Sequence, residues 1–369
     1  MELSLLIHQF GLPGRLVTIN PLGSGNVNDT YLAIFRNTYD EKQVILQRIN
    51  KNVFPQPEVI MRNLHRIANH AHPKLDREAD QTDRVWQLPK IVQTHDGKDY
   101  FRDEDGDVWR VITKIASATA FNEAQGNEHA MECGAVLGHF HWLLSDLDPG
   151  QMIDPLPGFH ITPKYLEKYD QTLETVPKAK DRLNASMEAR RMASFIEERR
   201  GFASVLQDAL ARGELSLRMM HGDPKVNNIM IDDFTGKGTA MIDLDTVSPG
   251  LIHYDFGDAL RSICNHAGEE ESNLSHVVFD LDLCEAFCKG YVAHARDFLS
   301  DADRYYLYDA IRLITFELGM RFFQDYLAGS VYFKIRHPEQ NLNRARVQFR
   351  LCESIESRER MIRDLLAKL

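Results

Sequence analysis

Within HGDPKVNNIMIDDFTGKGTAMIDLDT, residues 221–246, four side chains are spaced for acid–base and cation chemistry: His221, Asp223, Asn228 and Asp243. Two short apolar runs, 229–231 and 239–242, flank the turn DDFTGKG, a pattern that predicts a β-hairpin. The residue before the first strand of an antiparallel hairpin and the residue after the second lie at the same end, so Asn228 and Asp243 become neighbours. An amide oxygen and a carboxylate held together are hard ligands, which Mg²⁺ accepts when substrate phosphates complete its shell. Asp223, five residues before Asn228, reaches that same end as a second carboxylate. Not needed for the metal, it is suited to orient and deprotonate an attacking hydroxyl. Lys225 adds a cation whose natural target is a transferring phosphoryl group. A polar turn and a solvated strand end are the plain alternative, but these residue types at fixed offsets arise by chance in about two sequences per thousand of this length.

Other elements must hold that loop in place. Residues 15–48 read as three antiparallel strands, RLVTINPL, DTYLAIFRN and KQVILQRIN, separated by GSGN and NTYDE. Pro57 and Glu58 open a segment whose Val59, Ile60, Leu64, Ile67 and Ala68 recur at helical spacing. WQLPKIVQT, DYFRDED and DVWRVITKI return to strand character around DG and EDG turns. From Glu128 onward the pattern is helical except for a hairpin near 229–243. The expectation is an α+β, two-lobed plan: a β-rich lobe over 1–113 with one main helix, and a helical lobe over 114–369 carrying the catalytic loop and an acceptor pocket. GSGNVNDTY at 23–31 lies between strands, so it is neither a Walker A loop nor a Rossmann turn, each of which leads into a helix.

The set His221, Asp223, Asn228 and Asp243 matches the H-x-D-x-x-x-x-N pattern and downstream metal-binding Asp of kinases. HGDPKVNN followed by MIDLDT resembles the aminoglycoside phosphotransferase and choline kinase family, small-molecule relatives of the protein kinases. HYDFGDALR resembles that family's D-x-x-D element, in which Asp255 would stabilise the catalytic loop. The resemblance implies a protein-kinase-like fold, ATP as donor, and Mg²⁺ on Asn228 and Asp243. It also implies that a Gly-rich hairpin, Gly23, Ser24, Gly25 and Asn26, folds over the phosphates, with Asn28 in the third glycine's place. The family's lysine on the third strand is missing; KQVILQRIN offers only Gln47 or Arg48, with Arg48 the cation and Glu58 its partner by analogy. Residues 109–113 resemble the interlobe hinge, where backbone groups of Arg110 and Ile112 would bind adenine.

Further stretches, among them LPGFHITP, IDLDTVSPG and FELGMRFFQDYLAGSVYFKIRHPEQNLNRARVQ, are similar to N-acetylhexosamine 1-kinases and their close relatives over nearly the whole chain. This implies direct in-line transfer to the anomeric hydroxyl of N-acetylglucosamine or N-acetylgalactosamine. Thr246, Arg321 and Tyr332 stand at sugar-contacting positions, and His160 approaches the acceptor pocket. Asn26 stands where a His is expected after the second loop glycine, which bears on the acceptor's identity. Two rivals stay open: a kinase for another small alcohol such as choline, an amino alcohol, an aminoglycoside or a different sugar, and a catalytically dead nucleotide-binding relative.

The net charge of -11, from 43 Lys and Arg against 54 Asp and Glu, argues against non-specific binding of nucleic acid or an anionic membrane. No run approaches a membrane span, the first residues lack a signal-peptide pattern, and the five scattered cysteines suit a reduced compartment, so the expectation is a cytoplasmic monomer or weak dimer. Cys284 and Cys288 read as core thiols. His139 and His141, two apart on a helix, point to different sides and read as packing and surface residues, and EARRMASFIEERR reads as a solvated helix face.

Overall fold

Strand alternation gives the N-terminal sheet two unlike faces. In the computed structural model, which describes residues 2–23, 27–79, 82 and 84–369, six strands form one antiparallel sheet: β1 (Arg15–Pro21), β2 (Asp29–Arg36), β3 (Glu41–Ile49), β4 (Ile91–Val92), β5 (Phe101–Arg102) and β6 (Val108–Thr113). Their order is β1-β2-β3-β6-β4, with β5 also paired to β6. On one face Phe35, Val44, Leu46, Trp109 and Val111 pack against Leu6, Ile7 and Phe10, in and just after the short helix α1 (Leu3–Ile7). The other face is one residue out of phase and carries Ile45, Gln47, Arg110 and Ile112 into a cavity between the sheet and the rest of the chain. Gln47 pairs opposite Arg110 and Ile45 opposite Ile112, so the register commits both strands to the same phase.

The main helix of this region, α2 (Pro57–Glu78), starts with Pro at its first turn and buries Ile60, Leu64, Ile67, Ala71 and Leu75 in the large core it shares with the helical lobe. Its Asn63 amide donates to Ile153 O at 2.7 Å, tying the helix to the C-terminal part of the chain. That part contains α3 (Asn127–Leu143), α4 (Thr162–Thr175), α5 (Ala179–Asn184), α6 (Met187–Arg199), α7 (Val205–Ala211), α8 (Ile252–Ile263), α9 (Leu281–Ala295), α10 (Asp301–Tyr305), α11 (Leu307–Ala328), α12 (Gln340–Ser357) and α13 (Glu359–Leu366). Helices α3 and α9 approach so closely that a Cβ at Gly290 would lie 1.8 Å from Met131 O, and one at Gly138 would lie 2.3 Å from Tyr291 O. Only glycine fits there. Helix α11 is buried over most of its length and runs through the core, with Glu317 and Asp325 among its buried residues.

Three short strands, β7 (Ala118–Ala120), β9 (Ile229–Asp232) and β10 (Gly238–Met241), form a second sheet in the order β10-β9-β7, and β8 (Arg218–Met220) pairs with β11 (Ser248–Gly250). The hairpin β9–β10 has the expected register: Ile229 faces Met241, and Ile242 N donates to Asn228 O at 2.9 Å. All five cysteines are buried and free. The charged run on α6 is less solvated than its composition suggests. Ala189, Met192, Phe195 and Ile196 are buried, and Arg199 and Glu188 pair with Glu356 and Arg346 of α12 at 2.8 and 2.9 Å. Among the described residues, no helix is long and apolar enough to cross a membrane.

Candidate active site

Strand β8 delivers the chain into the loop 221–228, and buried groups fix its course. Asp255, in the first turn of α8, accepts from His221 N at 2.5 Å and Gly222 N at 2.8 Å. Its Oδ2 also takes the His141 Nε2–H at 2.8 Å, while His141 Nδ1 meets the Tyr291 hydroxyl at 2.9 Å. Burial alone would raise the Asp255 pKa, but the hydrogen bond and charge of His141 outweigh it and hold the carboxyl below its ordinary value. His141 therefore braces the loop 221–228 from behind, and both it and His139 are buried, which corrects their reading as packing and surface residues. His139, by contrast, stacks on Trp86 at 3.8 Å between ring centroids.

His221 donates from Nε2 to Ile242 O at 2.9 Å and accepts at Nδ1 from Asp223 N at 3.2 Å. Those partners select one neutral tautomer, and burial lowers its pKa accordingly. Gly222 has φ +86°, and a Cβ there would lie 3.0 Å from Thr246 Cβ, so glycine serves both backbone conformation and close approach. Its carbonyl accepts from His160 Nε2 at 2.8 Å, and His160 Nδ1 donates to Glu317 Oε1 at 2.9 Å. Both ring nitrogens face acceptors. Burial would drive the His160 proton off, but the Glu317 carboxylate more than offsets this and raises its pKa.

Asp223 lies 2.6 Å from Lys225 Nζ. Burial pushes its pKa up, yet the lysine's charge and hydrogen bond bring it below the ordinary value, so the carboxylate is ionised at neutral pH. Asn228 Nδ2 donates to Asp223 O at 2.8 Å and to Asp223 Oδ2 at 3.2 Å, which leaves its Oδ1 as the oxygen available to a cation. Asp243, at φ +62°, follows the hairpin's second strand at the same end. Its side chain is exposed to the cavity. Partial loss of water around it, with the charges of Asp245 and Asp223, pushes its carboxyl up to about 7. A cation would bring it back down.

Among the described residues no cluster of three or more His, Cys, Asp or Glu could cage a metal. The donor set here is instead one amide oxygen and one carboxylate facing open space, which fits Mg²⁺ shared with phosphates and does not suit a soft transition metal.

The cavity that these groups border holds about 610 Å³. Gly23 lines it at φ +70°; Ser24, Gly25 and Asn26 lie outside the described residues. Three expectations are corrected by the sheet. Arg48 projects from the opposite face of β3: its guanidinium pairs with Asp29 and Asp107 and lies 5.9 Å from the Trp109 ring, away from the cavity. Glu58 pairs with Arg102 of β5 and does not border the cavity. Residues 109–113 are not a hinge, because β6 spends its backbone on β3, β4 and β5; Arg110 and Ile112 reach the cavity through side chains, and Lys114 and Ile115 line it just beyond.

The cation that does enter is Arg110. Its Nε and Nη2 donate to Gln47 Oε1 at 3.0 and 2.7 Å, and its Nη1 lies 2.6 Å from Asp245 Oδ1. Sequence reasoning missed the Arg110 side chain and Asp245 in these places. The available signal was alternation carried across the strand pair from Gln47.

A second cavity of about 380 Å³ is lined by Val53 and Pro55 and by Phe159, Tyr165, Arg321 and Tyr332. The Arg321 guanidinium is 5.2 and 5.0 Å from the ring centroids of Phe159 and Tyr165, and its Nη1 is 3.9 Å from Glu317 Oε1. Arg321 and Tyr332 thus meet in one cavity. Thr246 does not join them: its hydroxyl donates to His221 O at 2.7 Å, and it borders neither cavity.

The sequence pattern of the phosphotransferase enzyme family matches residues 18–292. Among solved structures, the chain is similar in fold to a microcompartment-associated aminopropanol kinase, at TM-score 0.58 and 16% identity, covering 98% of this chain and 97% of that one. An aminoglycoside phosphotransferase from Alicyclobacillus acidocaldarius gives 0.57 and 16%, covering 100% and 97%. A spectinomycin phosphotransferase in complex with ADP and spectinomycin gives 0.53 and 11%, covering 94% and 95%.

Proposed function

The chain belongs to the phosphotransferase enzyme family, and from that premise we propose that it transfers a phosphoryl group from ATP directly to the anomeric hydroxyl of an N-acetylhexosamine, with Mg²⁺ as cofactor. It is a small-molecule kinase. In this reading residues 1–113 contribute the nucleotide-binding sheet, and 114–369 the catalytic loop, the metal-binding hairpin and the acceptor pocket. Asp223, ionised beside Lys225, orients the acceptor hydroxyl and takes its proton as the bond to phosphorus forms. Lys225 offsets charge on the transferring group. Asn228 and Asp243 would hold Mg²⁺, whose chemistry is to neutralise phosphate charge. The buried bonds from Asp255 and His160 keep the loop from relaxing away from this geometry.

The observation that supports a neutral sugar over a cationic acceptor is the charge of the second cavity. Arg321, Lys164 and Lys168 line it, and neither lysine forms an ion pair among the described residues. Asp325, the acid there, is already taken by the amides of Val331, Tyr332 and Phe333 and by Asn341. A quaternary or primary ammonium would meet Arg321 and two lysines without ion pairs, against one carboxylate whose oxygens are already hydrogen-bonded. A sugar would find aromatic faces and an Arg donor for its hydroxyls or acetamido oxygen.

An acceptor panel with ATP and Mg²⁺ tests this: N-acetylglucosamine, N-acetylgalactosamine, choline, ethanolamine and an aminoglycoside, scored by ADP release and by loss of the sugar's reducing end. Turnover on the N-acetylhexosamines alone is expected. Turnover on the amines alone would select the rival kinase, and nucleotide binding without ADP release on any acceptor would select the inactive relative.

A further inference from the structure

We propose that the Arg110 guanidinium is the phosphate-binding cation of the nucleotide cleft, parked on Asp245 until a nucleotide arrives. This rests on the reading of the larger cavity as an ATP site. Strand β3 presents Gln47 to that cavity where a lysine would otherwise reach the phosphates, and Arg48 faces away. The adjacent strand β6 places Arg110 opposite Gln47 in register, so the charge arrives from a neighbouring strand. Among the described residues of the sheet's strands, it is the only cationic side chain that lines the cavity.

Its surroundings look built for a ligand. Gln47 is oriented by its own donation to Thr30 Oγ1 at 3.1 Å, which turns Oε1 toward the guanidinium and takes up Nε and Nη2. Asp245 Oδ2 is occupied by the Asn28 amide at 2.7 Å, and Asn28 Oδ1 in turn accepts from Asn50 N at 3.0 Å. What remains is Nη1 against Oδ1. The two are 2.6 Å apart but misaligned, so each is a buried polar atom without a hydrogen bond among the described residues.

Arg110 is only 2% exposed, and buried donors are nearly always paired. An ion pair that satisfies charge and not geometry leaves N–H capacity beside a cavity that Asp223, Asn228 and Asp243 also line. A phosphate offers that fork the in-plane oxygens that Asp245 does not. Asp245 is then a resting partner that keeps the buried charge neutralised between turnovers, the task a helix glutamate serves where the lysine is present. Glu58 does not border the cavity and pairs with Arg102 at the surface.

Isothermal titration of the full chain with ATP and with adenosine, both without metal and in EDTA, separates the possibilities. The unaltered protein should bind ATP more tightly than adenosine. Arg110→Met should weaken ATP by about 10- to 100-fold, the loss of one charge-assisted contact at 1.4 kcal/mol per tenfold, and leave adenosine within twofold. Arg110→Met leaves buried Asp245 without its counter-charge, so Arg110→Met/Asp245→Asn is measured beside it, since removing both charges avoids an uncompensated buried acid. The double variant should lose the same ATP preference, whereas Asp245→Asn alone should keep or increase it. An ATP preference retained without Arg110, or ATP and adenosine falling together, would overturn the assignment. An unaltered protein that binds neither would instead overturn the nucleotide reading itself.

Discussion

Replacing Asp255 with asparagine tests whether the catalytic loop is held from behind by one buried carboxylate. Asp255 receives three donors: the amides of His221 and Gly222 and the imidazole of His141. An asparagine offers one oxygen, so its NH₂ must face at least one of those donors. Leaving one buried donor unpaired costs about 1–3 kcal/mol, and reducing charged to neutral hydrogen bonds costs about 1 kcal/mol for each that survives. The sum is about 3–5 kcal/mol, the same range as losing one partner of a buried charged pair.

Because the affected amides adjoin Asp223, a displacement near 1 Å would cost about 10²-fold in kcat. Urea unfolding gives the stability, and initial rates at saturating substrate give kcat; His141→Ala should reproduce part of both effects. The reasoning fails if Asp255→Asn unfolds at the urea concentration of the unaltered protein and turns over at its rate.

Asp223→Asn and Asp243→Ala should each abolish turnover with an unchanged far-ultraviolet circular dichroism spectrum; full activity in either would remove that residue from the chemistry. Arg48→Ala should leave ATP affinity and unfolding within about 1 kcal/mol, since its ion pairs are exposed, and an ATP affinity loss comparable to that of Arg110→Met would restore it to the site. His160 titrates above its ordinary value of 6.5 because of Glu317, so the stability it contributes is complete below that value and is lost as pH rises through the folded one. The difference in unfolding free energy between the unaltered protein and His160→Gln should therefore shrink from pH 6 to pH 9; a gap that is constant or widens would contradict a protonated His160.

Much of this protein can be read from its residues in order. The strands of 15–48, the helix after Pro57 and the hairpin joining Asn228 to Asp243 depend on local periodicity and turn chemistry, and those act within a dozen residues. For the same reason the geometry of the proposed catalytic loop was legible: Asp223, Asn228 and Asp243 occupy one short segment, and antiparallel pairing alone decides that its ends meet.

The remainder required the chain to close on itself. Alternation shows that Gln47 and Arg48 face opposite ways, but which face fronts the cavity depends on where Leu6, Ile7 and Phe10 settle, some forty residues earlier. That packing sent Arg48 outward and brought Arg110 in. His141 found Asp255 across 114 residues, and Arg321 found Phe159 and Tyr165 because α11 crosses α4 in the core. Each of these partnerships joins residues with no local signal in common. Burial chose them: a charge removed from water must take the partner that the fold places beside it, and only the assembled core determines which one that is.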